Sequence, residues 1–207
     1  VAKHSKKLEP AAAVRTRRAY FDCRFGQLHV RTAFPTTGGF DEQVTLFCLH
    51  SEQNSSRAFA RFLPEVGDVR SVYAPDLPGL GESDPSASAS VAEAAGAISD
   101  LADDLRLRQI DVLGMHSGAR VAMELAAARP ELVRRLVLVA LSGADGLPTI
   151  RQQSLVMRAQ GDAANAMPGL KAALPNAKFT DIADSGSDLF DAAPKTLARQ
   201  IGTFLSG

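Results

Sequence analysis

The sequence predicts an α/β fold: a mostly parallel, eight-stranded sheet with helices on both faces, entered through a hairpin. Three observations lead there. Short apolar runs alternate with segments of helical periodicity along most of the chain. Two strand-like runs, Arg18–Cys23 and Gln27–Phe34, flank a Phe25–Gly26 turn and read as the opening hairpin. The stretch Ile110–Pro130, IDVLGMHSGARVAMELAAARP, passes from an apolar run through a tight turn bounded by glycines into an alanine-rich helix. At 207 residues the chain has the length of one domain with a sizeable core.

Residues 1–17 read as a basic, flexible tail and 18–207 as a single domain. The 23 basic and 23 acidic residues balance, yet Lys3, Lys6, Lys7, Arg15, Arg17 and Arg18 face only Glu9 in the first 18 positions, leaving 17 basic against 22 acidic beyond them. A tail of that kind is expected to be a solvated terminus rather than a nucleic-acid or lipid contact. Basic residues elsewhere are scattered, and no aromatic stacking platform accompanies them, so nucleic acid is not the expected partner. No apolar run approaches the ~20 residues of a membrane span, and the first residues lack the apolar core of a secretory signal. Cys23 and Cys48 therefore suggest two reduced thiols in a cytoplasmic protein, with Cys48, in LFCLH, a small core residue. His4, His29, His50 and His116 are too dispersed to give a metal-ligand spacing, so neither metal nor other cofactor is expected.

Taken in order, the turn-rich 35–41 precedes Val44–His50, a continuous apolar run suited to a strand buried on both faces. Ser55 or Ser56 can cap a helix reaching Val66. Val69–Ala74 reads as a strand ending in PDLPGLGESD, rich in turn formers. Ser90 can cap a helix whose stripe is Val91, Ala94, Ala95, Ile98, Leu101, Ala102 and Leu105. Ile110–Gly114 is the next strand, followed by the helix with Val121, Ala122, Leu125 and Ala126 on one face. Arg135–Leu141, Ser154–Ala159 and Ala177–Ala183 complete the strands, and Leu197, Ile201, Phe204 and Leu205 give the last helix its apolar side.

The turn between the central strand and its helix has the small–x–nucleophile–x–small spacing of a nucleophile elbow, with His116 at its apex. Gly114 and Gly118 flank His116, where a Cβ would collide with neighbouring backbone. Placing Ser117 at the apex would put Met115 and Ala119 at the flanking positions, and a methionine crowds such a turn. The spacing therefore favours His116.

Three signatures in this order carry a family resemblance: Leu49-His50 after the third strand, DLPGLGESD at 76–84, and the elbow with its helix ending Arg129-Pro130-Glu131. The chain resembles the α/β-hydrolases from the opening hairpin to the final helix. That resemblance implies a nucleophile, an acid and a histidine in chain order. Asp162 takes the acid position, and Ser187 stands where the histidine belongs. Asp188 follows it. No histidine lies beyond His116, so an ordinary Ser-His-Asp relay is absent. The resemblance also assigns the oxyanion-binding amides to Ser117 and to the loop at Ser51 and Glu52. His50 is expected to brace that loop, and the Glu52 carboxylate would repel a developing oxyanion if it pointed inward. Many members carry a helical lid after the sixth strand. Here only Ser142–Gln153 fills that place, which implies either an open site with almost no lid or a chain from which a lid segment is missing.

Three readings follow. The first is a hydrolase of ester-like acyl bonds with a rearranged site, in which His116 activates Ser187 or a water while Asp162 or Asp188 orients it. The second is a non-catalytic protein of the same fold that binds a small acyl-type ligand or a partner. The third is a serine hydrolase using Ser117 with His50 or His116 as base. The sequence specifies neither the substrate nor the oligomeric state.

Overall fold

The structure is a computed structural model. It describes residues 14, 16–36, 43–88, 90–141, 145–159, 167–182 and 188–207. Eight strands form one sheet: β1 (Thr16–Cys23), β2 (Gly26–Ala33), β3 (Leu46–Leu49), β4 (Val72–Pro75), β5 (Ile110–Met115), β6 (Val133–Val139), β7 (Gln153–Ala159) and β8 (Ala177–Ile182). Their spatial order is β1-β2-β4-β3-β5-β6-β7-β8. The hairpin pairs antiparallel, as does β2 with β4, and every other neighbour is parallel. This is the expected architecture, with the carboxyl ends of the parallel strands sharing one edge.

The helices divide between the two faces. On one lie α2 (Val91–Asp104), α3 (Ser117–Ala128) and α4 (Met167–Ala173), over a core that includes Ile98, Leu101, Val112, Leu125 and Leu138. On the other lie a short 3₁₀ turn (Ser56–Phe59), α1 (Phe62–Val66), α5 (Leu189–Ala192) and α6 (Pro194–Ser206), packed on Leu46, Leu113, Val137 and Met157. Phe59, Phe62 and Phe190 close this second core, the Phe190 ring meeting each of the other two edge-on at 4.9 Å between centroids.

Local chemistry explains where elements begin. Ser90 Oγ accepts from the Glu93 N–H at 3.2 Å, the cap expected for α2. The helix expected from Ser55 to Val66 is instead broken in two. Restarting at Phe62 leaves Pro64 in the first turn of α1, where its missing N–H costs no helical bond. β4 starts three residues later than expected because Arg70 leaves the strand path and turns inward. Its guanidinium, 1% exposed, bonds Asp111 Oδ2 at 3.1 Å and the Val44 carbonyl at 3.2 Å. Arg134 grips the same carboxylate through Nε and a terminal nitrogen, at 2.9 and 2.7 Å, and also bonds the Leu205 carbonyl of α6. This buried network ties the amino ends of β5 and β6 to the last helix. α4 and α5 carried no periodic signal: MPGLKAA contains helix-breaking residues, and the Leu170 and Ala173 burial that holds α4 is a tertiary effect.

Candidate active site

β5 runs into α3 through a single residue, His116, whose backbone sits at φ 51° and ψ −117°. A residue with a Cβ adopts that region at a cost of about 1–3 kcal/mol. Packing leaves no alternative. A side chain at Gly118 would strike the Leu49 and His50 carbonyl oxygens, and one at Gly114 would strike the backbone of Gly118 and Ala119. The start of α3 is thus pressed against β3 and β5, and the chain turns within one residue. Ala140, at the carboxyl end of the adjacent β6, is also at positive φ (51°). The His116 N–H donates to the Val139 carbonyl at 2.9 Å, joining the two strained ends. The His116 side chain is half-buried, and among the described residues no group hydrogen-bonds its ring.

The next residue, Ser117, opens α3. Its hydroxyl accepts from the Glu52 N–H at 2.7 Å. The two positions whose amides were expected to bind an oxyanion are therefore adjacent, but the Glu52 N–H is already engaged by the Ser117 side chain. The Glu52 side chain is exposed. Beneath it, Ser51 is buried, with its Oγ and carbonyl held by Asn54 at 3.0 and 2.9 Å.

His50 is fully buried and both ring nitrogens are occupied. Nε2 accepts from the Leu77 N–H at 2.9 Å, which leaves Nδ1 as the donor to the Ser51 carbonyl at 2.7 Å. Burial pushes its pKa below the ordinary 6.5, only partly offset by the bond to Ser51 and the nearby Asp76 charge. A neutral ring tying two loops together has no nitrogen left to act as a base for Ser117.

Asp76 anchors the second of those loops. Burial by itself would raise its pKa, but hydrogen bonds from Ser56, the Glu82 N–H and His29 hold it below the usual carboxylate range. The Ser56 and Glu82 amides donate at 2.6 and 2.9 Å, and His29 Nδ1 lies 2.9 Å away, itself 1% exposed. Gly81, at φ 58°, has no room for a Cβ against this carboxylate. The DLPGLGESD segment thus wraps its own aspartate. The His29–Asp76 pair was not foreseen, since the apolar alternation of Leu28 and Val30 gave no reason to bury His29 on the other face.

The wrapped segment forms one wall of a cavity of about 210 Å³ at the carboxyl edge of the sheet, lined by Leu77, Pro78, Leu80, Val91 and Val121 with Glu52 and Ser117 at its polar end. Ser86 and Ser90 also line it, and the sequence offered no reason to place them there beyond the cap at Ser90. A larger groove of about 660 Å³, beside α6, is lined by Arg135, Gln153, Lys178 and Arg199 among others. These strand residues lie at the amino ends of β6, β7 and β8. Ligands of open α/β sheets bind outside the carboxyl ends, and so the smaller cavity is the candidate site.

Asp188, exposed, precedes α5 without capping it through its side chain, and no bond joins it to His116. Asp162 and Ser187 lie outside the described residues. Cys48 is buried in β3, which pushes its thiol far above the ordinary range and leaves it inert. Among the described residues no three His, Cys, Asp or Glu side chains converge as metal ligands, and no helix is long and apolar enough to cross a membrane.

The model of the alpha/beta hydrolase family matches residues 46–205, a span that takes in the strained turn, the wrapped loop and the last helix. The chain belongs to that family. Over 107 residues it is 35% identical to a 2-hydroxymuconate semialdehyde hydrolase of Pseudomonas sp. strain CF600, a match covering 47% of this chain and 36% of that protein. A Mycobacterium tuberculosis protein is 40% identical over 99 residues, 47% of this chain and 29% of the other. The chain thus spans about a third of the length of the curated relatives it matches. In fold it is similar to the epoxide hydrolase CorEH (TM-score 0.81, 12% identity, 93% of this chain and 99% of that one) and to carboxylesterase CesB of Bacillus subtilis (TM-score 0.74, 17% identity, 93% of each).

Two outcomes test the strained turn and the His50 brace. At an ordinary site glycine is less stable than alanine by ~0.5–1 kcal/mol. At position 116 the order reverses, with His116→Gly more stable than His116→Ala by about 1 kcal/mol in urea unfolding, because both lose the ring and only glycine relaxes the backbone. For His50, the folded state holds the ring neutral while the unfolded chain protonates it below about pH 6.5. Its contribution is complete above that pH and declines as pH falls toward the depressed folded value. His50→Gln is less stable at pH 7.5 and loses less stability than the native protein between pH 7.5 and 5.5.

Proposed function

We propose that the chain is a hydrolase of small, largely apolar esters or related acyl compounds, with the His116 imidazole as its reacting group. The supporting observation is the placement of a histidine, its ring without a hydrogen-bond partner among the described residues, on a strained one-residue turn at the carboxyl edge of the sheet, in a family whose relatives include hydrolases of several bonds. Strain of this kind concentrates at functional sites. At about 210 Å³ the cavity is smaller than the roughly 300–1,000 Å³ of pockets for drug-sized ligands, and its apolar walls suit a short acyl or aryl group.

In the reaction, a water attacks the acyl carbon as His116 removes its proton. The resulting oxyanion is met by donors at Ser117 and collapses with expulsion of the alcohol, which takes up the proton carried by the imidazole. Ser187 is the alternative nucleophile for the same base, and Asp162 supplies the carboxylate that orients the ring, since Asp188 makes no bond to it. Two free thiols, Cys23 and Cys48, fit a reducing, cytoplasmic setting.

Two observations favour a second reading, a ligand-binding member without turnover. The Glu52 amide is occupied by Ser117, and among the described residues no carboxylate holds the His116 ring.

A panel of p-nitrophenyl esters from acetate to octanoate separates the two. The hydrolase reading expects turnover of the shorter esters, falling by about 10²–10⁴ in His116→Ala, the scale of one lost general base. No turnover overturns it in favour of binding alone, and turnover unchanged in His116→Ala removes His116 as the reacting group.

A further inference from the structure

The Glu52–Ser117 contact changes which atom of the site can hold a ligand. A backbone N–H has one proton to give, and that of Glu52 is directed at Ser117 Oγ from 2.7 Å. It cannot serve a ligand while that bond stands. The hydroxyl has a proton of its own, and among the described residues no group accepts it. Ser117 lines the cavity alongside Leu77, Val91 and Val121. Accepting a hydrogen bond polarises a hydroxyl and makes it a better donor to the next acceptor in the chain.

We propose that the Ser117 hydroxyl, rather than the Glu52 backbone amide, is the donor that grips the carbonyl oxygen of a small, apolar carbonyl compound in this cavity. The Glu52 amide then acts one bond further back, fixing the hydroxyl and strengthening it. Recognition rests on a rotatable side chain at the head of α3, whereas Ser86 and Ser90, the other hydroxyls lining the cavity, are both engaged with Glu93. The inference deepens the hydrolase reading by naming the atom that meets the acyl oxygen, and it holds equally for a protein that only binds.

Acetophenone is a suitable probe because it cannot be hydrolysed. Threonine and valine at position 117 have nearly the same shape. Threonine keeps the hydroxyl, whereas valine removes it and still covers the Glu52 N–H. Acetophenone binding is measured by calorimetry, and its carbonyl stretch by difference infrared spectroscopy, on native protein and on Ser117→Thr and Ser117→Val with matched thermal melts. The expected result is that Ser117→Thr binds like the native protein, with the carbonyl stretch lowered on binding. Ser117→Val binds about tenfold more weakly, the scale of one hydrogen bond lost in a desolvated site, and leaves the stretch at its apolar-solvent position. Equal binding and equal stretch in the Thr and Val proteins overturn the inference, as does failure of the native protein to bind the ketone. The ester panel with His116→Ala fails or succeeds independently, so loss of the hydrolase reading leaves this result interpretable.

Discussion

The close approach of α3 to the sheet governs the rest of the molecule. Gly118 lies directly on the Leu49 and His50 carbonyls, and Gly114 lies under the first residues of the helix. With both Cβ positions forbidden, the chain has one residue in which to change from strand to helix, and that residue takes a backbone shape L-amino acids avoid. The strain is held by what surrounds it: β5 is buried along its whole length between β3 and β6, and α3 buries Val121, Ala122 and Leu125. The strained residue, at the carboxyl end of β5, is a histidine, next to Ser117, which lines the cavity.

Around that turn, buried polar groups position loops instead of reacting. His50 has both nitrogens bonded to backbone, and Asp76 gathers two backbone N–H groups and His29 into one buried knot. Taking either group out of water without partners would cost several kcal/mol. With partners, the pair holds the 50–52 and 76–84 loops at fixed positions on either side of α3. The described residues that line the cavity between them all precede β6. At the opposite edge, Arg70, Asp111 and Arg134 perform the same service for the strand starts and α6. A pair of that burial is strongly destabilised by losing one member, by about 3–5 kcal/mol.

The fold was legible because its signals are repetitive: eight apolar runs, two capped or alanine-rich helices and a hairpin turn all point to one architecture. The boundaries that moved did so for tertiary reasons. Arg70 was drawn off the β4 path by Asp111, and Pro64 split one helix into two short pieces. α4 and α5 are held by burial that no local pattern announces. At the site, the glycine spacing was enough to put His116 on the turn, since it reports sterics directly. Side-chain bonds between distant segments were not readable. Nothing in a one-dimensional pattern says that Ser117 will take the Glu52 amide, or that His29 will meet Asp76 across 47 positions.

The measurement that bears most directly on this account is a crystal structure with a small carbonyl compound such as acetophenone bound. The ligand is expected in the cavity walled by Leu77, Val91 and Val121, its oxygen within hydrogen-bond distance of Ser117 Oγ and its carbonyl carbon facing the His116 ring. A ligand seated instead in the groove beside α6, or a carbonyl turned away from position 117 with the imidazole folded into the protein, would contradict it.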